Sequence, residues 1–409
     1  MPVRTAVLLL SRLHFFWWLA VGISGSLVIA GAWGINLATH KPERALQWAM
    51  GTGLVLGVEL LILRRNLHKN RSSPDAPLRG SLGWGNVVTL GRGAAYGLMA
   101  GFLFAPRPGG LLDWAPALLY TGAIVADYWD GYLARITHHT TILGEILDIE
   151  FDGLGMFVAM GLAVQYGQLP EIILLLAAGR PLFLWGMKWR ERSGRPNYPM
   201  TPSDERRIAA GLLMGFMGIV LWPVFAPPAT HIAGAIFGGA VAASFVRDWL
   251  VVIGWLRPAS PGYIRWRGRL KAWLFGWLPL LLRLACLPAA GWFLWSAGSN
   301  SQRPVFFTLL AGLALLAAVA ALTGTAARLA GIVLAGVACA GLIGWGDSLP
   351  VLTLLAVAAA LVVLGNGRLA LWTPDETFLR RRAGSTEPVP AEPVSAEPVP
   401  PGRGQEDAG

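Results

Sequence analysis

Cysteine is almost absent from this 409-residue chain, which contains Cys286 and Cys339, both inside apolar runs. A disulfide framework is therefore not indicated, and a redox role is not expected. Charged residues are also scarce, at 14% against 55% hydrophobic residues and a mean hydropathy of +0.54. A soluble globular protein of this length carries more charge than that. These shortages exclude an ordinary soluble fold and predict an all-α polytopic membrane protein.

Acidic residues are scarcer than basic ones, with 23 Asp and Glu against 33 Lys and Arg, which gives a formal net charge of +10. The basic residues are spread over short segments between apolar runs and are not gathered on one face. This distribution favours cytoplasmic loops in contact with anionic lipid headgroups. We therefore expect membrane lipid as a partner and no nucleic acid.

Apolar stretches near the ~20 residues that a bilayer requires recur along the whole chain. They predict about twelve spans, near 15–36, 46–63, 83–103, 112–131, 145–166, 170–187, 208–226, 231–255, 274–297, 304–323, 327–345 and 350–371. The basic residues alternate between connections, and the positive-inside rule then places both termini and the Asp127–Asp152 connection in the cytoplasm. We expect an integral protein of a bacterial inner membrane. A cleaved signal peptide over residues 1–36 is the alternative to a retained helix, but its apolar run is longer than an ordinary signal sequence.

Four aspartates stand between two apolar runs, as the pairs Asp127/Asp130 and Asp148/Asp152. Residues three or four apart share one face of a helix, so each pair projects together. Two facing helices of this kind supply an all-oxygen cage for a hard cation such as Mg²⁺ or Mn²⁺. Bound metal would also keep the carboxylates ionised near a bilayer. The alternative is a solvated acidic loop, which has no reason to keep helical spacing on both flanks.

The complete pattern, D-x2-D-G-x2-A-R-x8-G-x3-D-x3-D, resembles the signature of the CDP-alcohol phosphatidyltransferase family. All eight fixed positions are present, as Asp127, Asp130, Gly131, Ala134, Arg135, Gly144, Asp148 and Asp152. The resemblance implies a six-helix core and transfer of a substituted phosphate group, with a CDP-alcohol such as CDP-diacylglycerol as donor. It also implies release of CMP and two Mg²⁺ or Mn²⁺ ions per site. A small polar alcohol or alcohol phosphate would accept the group, in phospholipid biosynthesis.

The resemblance also implies roles for individual residues. The four aspartates would bind metal, and Asp152 would in addition be the catalytic base. The nucleotide would lie against Gly131, Ala134, Arg135 and Gly144, with Asn86 and Thr89 of an upstream Asn-x2-Thr-x2-Arg pattern nearby. That upstream pattern has an alternative, a helix capped by Asn86 with Arg92 extended to the membrane edge. Arg135 has one too, as a membrane-edge anchor.

The acceptor is less well specified by the sequence. Arg180 lies inside an apolar run, eight residues before Lys188, and an arginine there is a functional candidate for holding an acceptor phosphate. The stretch 199–207 departs from the Lys-rich pattern of glycerol-phosphate enzymes, which leaves the acceptor open. The adjacent His138 and His139 are expected in a solvated loop, because neighbouring residues face different sides of a helix.

Five regions are predicted: two extra helices (1–63), a basic cytoplasmic linker (64–82), the phosphotransferase core (83–257), a C-terminal helical membrane region (258–373) and a disordered tail (374–409). Residues 365–372 weakly resemble the end of DoxX-like membrane proteins. Repeated Glu-Pro-Val in the tail cannot bury a core. A homodimer is expected. The competing classes are a membrane transporter, whose acids usually lie near the bilayer midplane in repeated halves, and a non-catalytic scaffold.

Overall fold

The computed structural model describes residues 2–200, 204–257, 260–298 and 304–375. Within those ranges the chain is helical, and extended pairing is limited to one isolated bridge between Thr325 and Trp372. This confirms the all-α prediction. The predicted tail from residue 376 onward lies outside the described residues. Asp375, however, is buried and accepts a hydrogen bond from Asn366, so ordered structure extends at least two residues past the predicted boundary.

The first nine helices cover the two N-terminal helices and the core. Their bounds are α1 Pro2–Thr39, α2 Pro42–Asn66, α3 Gly83–Ala100, α4 Ala115–Ile136, α5 Ile142–Gln165, α6 Leu174–Ala177, α7 Gly179–Arg192, α8 Asp204–Val220 and α9 Ala229–Val252. The C-terminal region adds α10 Pro261–Ala272, α11 Leu278–Gly298, α12 Pro304–Thr323, α13 Ala327–Trp345 and α14 Leu349–Leu364. A π-helical turn, Trp273–Trp277, joins α10 to α11.

Among the described residues, six helices are long and apolar enough to cross a membrane, or up to seven if α6 and α7 form one bent span. The protein is therefore an integral membrane protein. Helices lie at all twelve predicted positions, but the number twelve stays a prediction. Two spans differ in detail from expectation: the one near 170–187 bends by 58° between α6 and α7, and the last one ends at Leu364.

Two apolar cores divide the molecule. The larger contains side chains from α1 to α6, α8 and α9, and the smaller is built from α11 to α14 with Ala229 of α9. In the larger core α3 packs against α2, α4 and α5, while α8 packs against α4 and α9. Close approach of α3 and α4 depends on Gly85, since a Cβ there would lie 2.9 Å from the Ala134 side chain. The central position of α3 brings its polar residues between α4 and α5.

Helix α2 extends to Asn66, and residues 70–82 of the predicted linker are folded onto the loop between α4 and α5. The buried Asn70 side chain donates to the carbonyl oxygens of Arg79 and Ser81, and Arg79 donates to that of His138. The linker then enters α3 at Gly83, whose φ of +78° suits glycine. The two extra N-terminal helices are thus attached to the loop that joins the aspartate pairs.

The C-terminal region is held by Arg283, which is 2% exposed. Its guanidinium donates to five backbone carbonyl oxygens, those of Ala321, Leu322, Asn366, Arg368 and Leu369. These bonds join α11, the end of α12 and the turn after α14. The last apolar run stops being helical at Leu364, where Gly365 has a φ of +88° and the carbonyl oxygens of Val362 and Val363 accept hydrogen bonds from the buried Arg328. The DoxX resemblance of this turn stays a prediction.

Candidate active site

Arg92 lies at the centre of the four aspartates, here called the acid cluster: Asp127, Asp130, Asp148 and Asp152. Its side chain is 0% exposed. Nη1 lies 3.0 Å from Asp127 Oδ1, 2.5 Å from Asp130 Oδ2 and 2.9 Å from Asp148 Oδ1. Nη2 contacts Asp152 Oδ1. Helix α3 therefore contributes a cation to a site whose acids come from α4 and α5, and the predicted convergence of the two aspartate pairs is observed.

The acid cluster divides into an open part and a buried part. Oxygen atoms of Asp127, Asp148 and Asp152, here called the carboxylate triad, lie within 4.8 Å of one another. Asp148 is the most exposed, with 46% of its side chain accessible, while Asp130 retains only 10%. Asp130 also accepts a hydrogen bond from Thr89 Oγ1 at 3.1 Å. Asp130 is thus fixed by α3, and the triad faces outward.

The alternative that Asn86 caps α3 and Arg92 extends to the membrane edge is wrong. Helix α3 begins at Gly83, and Asn86 lies inside it, donating from Nδ2 to the carbonyl oxygen of Leu82 at 2.8 Å. Thr89 contacts the acid cluster directly, and Arg92 is inside it. These side chains recur every three residues and lie on the buried side of α3. In the sequence, polar residues spaced three apart within an apolar run were the signal that could have indicated that Arg92 lies at the site.

The small residues of the signature lie in tight contacts. Ala134 packs on Gly85, and a Cβ on Gly144 would lie 2.6 Å from Asn86 Oδ1. Gly131 lies beneath the guanidinium of the exposed Arg135, since its Cβ would be 3.2 Å from Nη1 of that arginine. Glycine and alanine at these positions let α3, α4 and α5 approach closely. Nucleotide contact by these residues stays a prediction.

Arg180 is exposed, which differs from the buried position expected from its apolar surroundings. It reaches α5, where Nη1 donates to the Ile149 carbonyl at 3.1 Å and Nη2 lies 3.3 Å from Glu150 Oε1. The helix break before α7 gives it this direction. Lys188, also exposed, lies more than two turns further along α7. Arg180 is therefore beside the acid cluster, and acceptor binding by either residue stays a prediction.

The two histidines lie in the loop between α4 and α5, as expected. His138 has a φ of +51° and is exposed. His139 is half-buried against Gly83, with Nε2 3.1 Å from the carbonyl oxygen of Ser81. Burial, and secondarily the Arg79 guanidinium, lowers the pKa of His139 below its usual value. His139 thus holds the loop to the linker.

Sequence reasoning missed Glu59 on α2. It is 4% exposed, and Oε1 has no hydrogen-bond partner. A Cβ added to Gly93 would lie 2.7 Å from Oε2 of Glu59, and the Phe151 ring packs against the same glycine. A single acid in the apolar run of α2 was the available signal. Glu59 thus brings one of the extra N-terminal helices against residues next in sequence to Arg92 and Asp152.

The donor atoms of the carboxylate triad fit a divalent metal ion. Three carboxylates within 4.8 Å provide hard oxygen ligands without histidine or cysteine, the set that Mg²⁺ and Mn²⁺ prefer. Four carboxylates against the one guanidinium of Arg92 also leave the acid cluster with a formal charge of −3 when all are ionised. Such an excess of negative charge favours cations.

Comparison with known proteins identifies the core. Residues 83–256 match the family described as CDP-alcohol phosphatidyltransferase, and this segment, which contains Arg92 and the acid cluster, belongs to that family of transferases. The matched bounds agree with the predicted core within one residue. No solved structure matched the chain.

One similar protein is a CDP-diacylglycerol--glycerol-3-phosphate 3-phosphatidyltransferase of Cereibacter sphaeroides. It is 34% identical over 107 residues, which make up 25% of this chain and 48% of the relative. The chain therefore spans about half the length of the curated relative that it matches. The extra N-terminal helices and the C-terminal region lie outside the family match.

Proposed function

We propose that this protein transfers a phosphatidyl group from CDP-diacylglycerol to the hydroxyl group of a small polar alcohol or alcohol phosphate and releases CMP. The observation that carries this proposal is the convergence of all four signature aspartates on one site inside a family-matched membrane core. The printed name of the Cereibacter relative supports CDP-diacylglycerol as the donor. The basic connections support a cytoplasmic site, where nucleotide-activated lipids would be available.

Asp127, Asp148 and Asp152 would hold divalent metal, with Asp130 behind them. Bound Mg²⁺ or Mn²⁺, two ions per site in this proposal, would neutralise charge on the pyrophosphate oxygens and on the departing CMP. Thr89 and Arg92 keep Asp130 in place, and Arg92 reduces repulsion among the carboxylates. The open side of the triad, where Asp148 is exposed, would receive the pyrophosphate.

The reaction forms one bond and breaks one. The acceptor oxygen attacks the lipid-linked phosphorus, and the bond between that phosphorus and the bridging oxygen of CMP breaks, so the bonding electrons leave with CMP. Asp152 would take the hydroxyl proton on a carboxylate oxygen. General-base assistance of this kind contributes ~10²–10⁴-fold to a rate.

The acceptor is proposed to enter beside α7. Arg180 lies against the part of α5 that carries Asp152, and its guanidinium is the nearest exposed cation in the described contacts of that helix. Its partner Glu150 is itself half-exposed, so an acceptor phosphate could exchange for that carboxylate. Lys188 would contribute only long-range attraction.

Turnover of purified protein with radiolabelled CDP-diacylglycerol tests the proposal. Glycerol 3-phosphate, inositol phosphate and uncharged alcohols serve as acceptors, with and without a chelator. We expect CMP release and one radiolabelled phospholipid product, both abolished by chelation and restored by Mg²⁺ or Mn²⁺. Absence of transfer to every acceptor, or full turnover after exhaustive chelation, would contradict the proposal.

A further inference from the structure

One end of the C-terminal region carries exposed basic and aromatic side chains. Helix α10 has no acidic residue and contains four basic ones, Arg265, Arg267, Arg269 and Lys271. Arg269 is exposed, and it is followed at four-residue spacing by Trp273 and Trp277, which are 52% and 48% exposed. Residues four apart share one side of a helix, so an arginine and two tryptophans form one exposed stripe.

The turn after α14 brings a second exposed arginine to this stripe. The backbone N–H of Arg368 donates to the carbonyl oxygen of Gly276 at 3.0 Å. Its guanidinium carbon lies 5.1 Å from the ring centroid of Trp277, within cation–π range. Leu369, the next residue in the turn, is 78% exposed. The basic-aromatic patch is defined here as Arg269, Trp273, Trp277, Arg368 and Leu369.

The backbone of the turn presents Leu369 outward. Its φ of +57° lies in the left-handed region, which is unfavourable for a residue with a Cβ. Nη2 of the buried Arg283 donates to the Leu369 carbonyl oxygen at 3.2 Å and so holds this conformation. An apolar side chain kept exposed by a strained backbone is a candidate for contact with apolar material outside the chain.

The length of α11 places the patch at the depth of lipid headgroups. Helix α11 has 21 residues, about 32 Å at the helical rise per residue, and the hydrocarbon core of a bilayer is ~30 Å thick. The apolar helical stretch Pro261–Gly298 has 38 residues, so part of it extends beyond that layer. With α11 across the hydrocarbon, Trp277 and Trp273 fall in the ~5–8 Å headgroup layer, where tryptophans concentrate in membrane proteins.

The two arginines of the patch have no carboxylate to neutralise them. In the part of the chain that the structure describes, neither Arg269 nor Arg368 forms an ion pair, whereas Arg180 is paired with Glu150. An acid at the same end of the bundle, Asp375, is buried and accepts hydrogen bonds from other groups. The patch therefore presents uncompensated positive charge, and its complementary ligand is an anion.

We propose that the basic-aromatic patch binds the phosphate headgroup of an anionic phospholipid in the cytoplasmic leaflet. A guanidinium stacked on an aromatic ring, as in Arg368 on Trp277, can still donate two parallel hydrogen bonds to phosphate oxygens from its edge. Arg269 adds a second positive charge along the stripe, and Leu369 contacts the upper part of the acyl chains. The positive-inside rule predicts that this end is cytoplasmic, where anionic lipids attract basic residues. The patch lies outside the family match and does not depend on the proposed transfer reaction.

Lipid binding by the purified full-length protein tests the proposal. The protein in a neutral detergent is titrated with dioleoylphosphatidylglycerol or with zwitterionic dioleoylphosphatidylcholine, and bound lipids are counted by native mass spectrometry. The variants are Arg368→Gln and Arg269→Gln, which remove exposed charges and leave the backbone bonds of the turn in place. Arg64→Gln is the matched control, because Arg64 is also exposed and lies 5.0 Å from the ring centroid of Trp17, but the indole N–H of Trp17 is already bonded within the helices.

We expect dioleoylphosphatidylglycerol to bind at least tenfold more tightly than dioleoylphosphatidylcholine. A basic residue near an anionic lipid surface contributes about fivefold in affinity. Arg368→Gln and Arg269→Gln should therefore each weaken binding of the anionic lipid about fivefold, while Arg64→Gln stays within twofold of the wild type. All three variants should keep the wild-type unfolding midpoint, because exposed charges contribute little to stability.

Four results would overturn the proposal. Equal weakening in Arg64→Gln would show that binding reflects general surface charge, and equal affinity for the two lipids would exclude recognition of an anionic headgroup. Displacement of the bound lipid by millimolar inorganic phosphate would make a free anion the ligand. Efficient disulfide crosslinking of Trp273→Cys between two copies, above the wild-type level, would show that a second chain covers the patch. Because these measurements use neither a CDP-linked donor nor an acceptor, their outcome is separate from that of the turnover assay.

Discussion

Removal of the Arg92 charge is the sharpest test of the site, because one buried side chain contacts all four carboxylates. Arg92→Gln leaves the acid cluster without its internal cation and changes its formal charge from −3 to −4. Breaking a buried ion pair by removing one partner costs ~3–5 kcal/mol. At ~2–4 °C per kcal/mol for a domain of this size, we expect the unfolding midpoint in detergent to fall by about 6–12 °C, taking the lower cost.

The stability that Arg92→Gln loses should depend on bound metal. A divalent ion at the carboxylate triad restores positive charge to the acid cluster, so saturating Mg²⁺ should recover at least half of the lost stability. Thermal unfolding of wild type and variant is followed with EDTA and across a Mg²⁺ series. Arg180→Gln is the control, because Arg180 is exposed and its ion pair with Glu150 contributes ~0–1 kcal/mol.

Two results would refute the reasoning. If Arg92→Gln and Arg180→Gln unfold at the same temperature in EDTA, Arg92 does not compensate the acid cluster. If Arg92→Gln is destabilised equally with EDTA and with Mg²⁺, the lost stability comes from packing and the carboxylates are not a metal site.

Three further predictions concern the signature, the loop and the domains. Asp152→Asn should lower turnover ~10²–10⁴-fold with donor binding retained and no rescue by Mg²⁺, whereas Asp127→Asn should respond to added Mg²⁺; rescue of Asp152→Asn by metal in a turnover assay would make Asp152 simply a ligand. Because the pKa of folded His139 is lowered, its stabilising contribution is present above the unfolded value of ~6.5 and is lost as the pH falls below it. The unfolding midpoint of His139→Gln should therefore change less between pH 7 and pH 5 than that of the wild type, and an equal change in both proteins would contradict this. A chain truncated after Ser260 should keep measurable turnover, since the larger apolar core contains no residue from α11 to α14, but with a lower unfolding midpoint, since α9 loses its contact with α14. Loss of turnover in a folded truncated protein would show that the C-terminal helices help to build the site.

The sequence by itself determined the class of the protein and the carboxylates that meet at its candidate site. Long apolar runs without charge can be satisfied in a bilayer only as helices, so the fold class followed from composition and run length. The spacing of Asp127, Asp130, Asp148 and Asp152 fixed which carboxylates share a face, since helical periodicity is a local property. The family match covers residues 83–256, and the predicted core is 83–257.

Only the tertiary structure decided which residues surround those carboxylates. Arg92 is separated from Asp152 by 60 positions, yet its guanidinium contacts that carboxylate. Its placement depends on the close approach of α3 and α4 at Gly85, which no local pattern specifies. Glu59, the linker contacts of Asn70 and the outward direction of Arg180 have the same origin. A local pattern tells which face of a helix is polar, whereas packing between helices determines what that face meets, because it depends on side-chain volumes from distant parts of the chain.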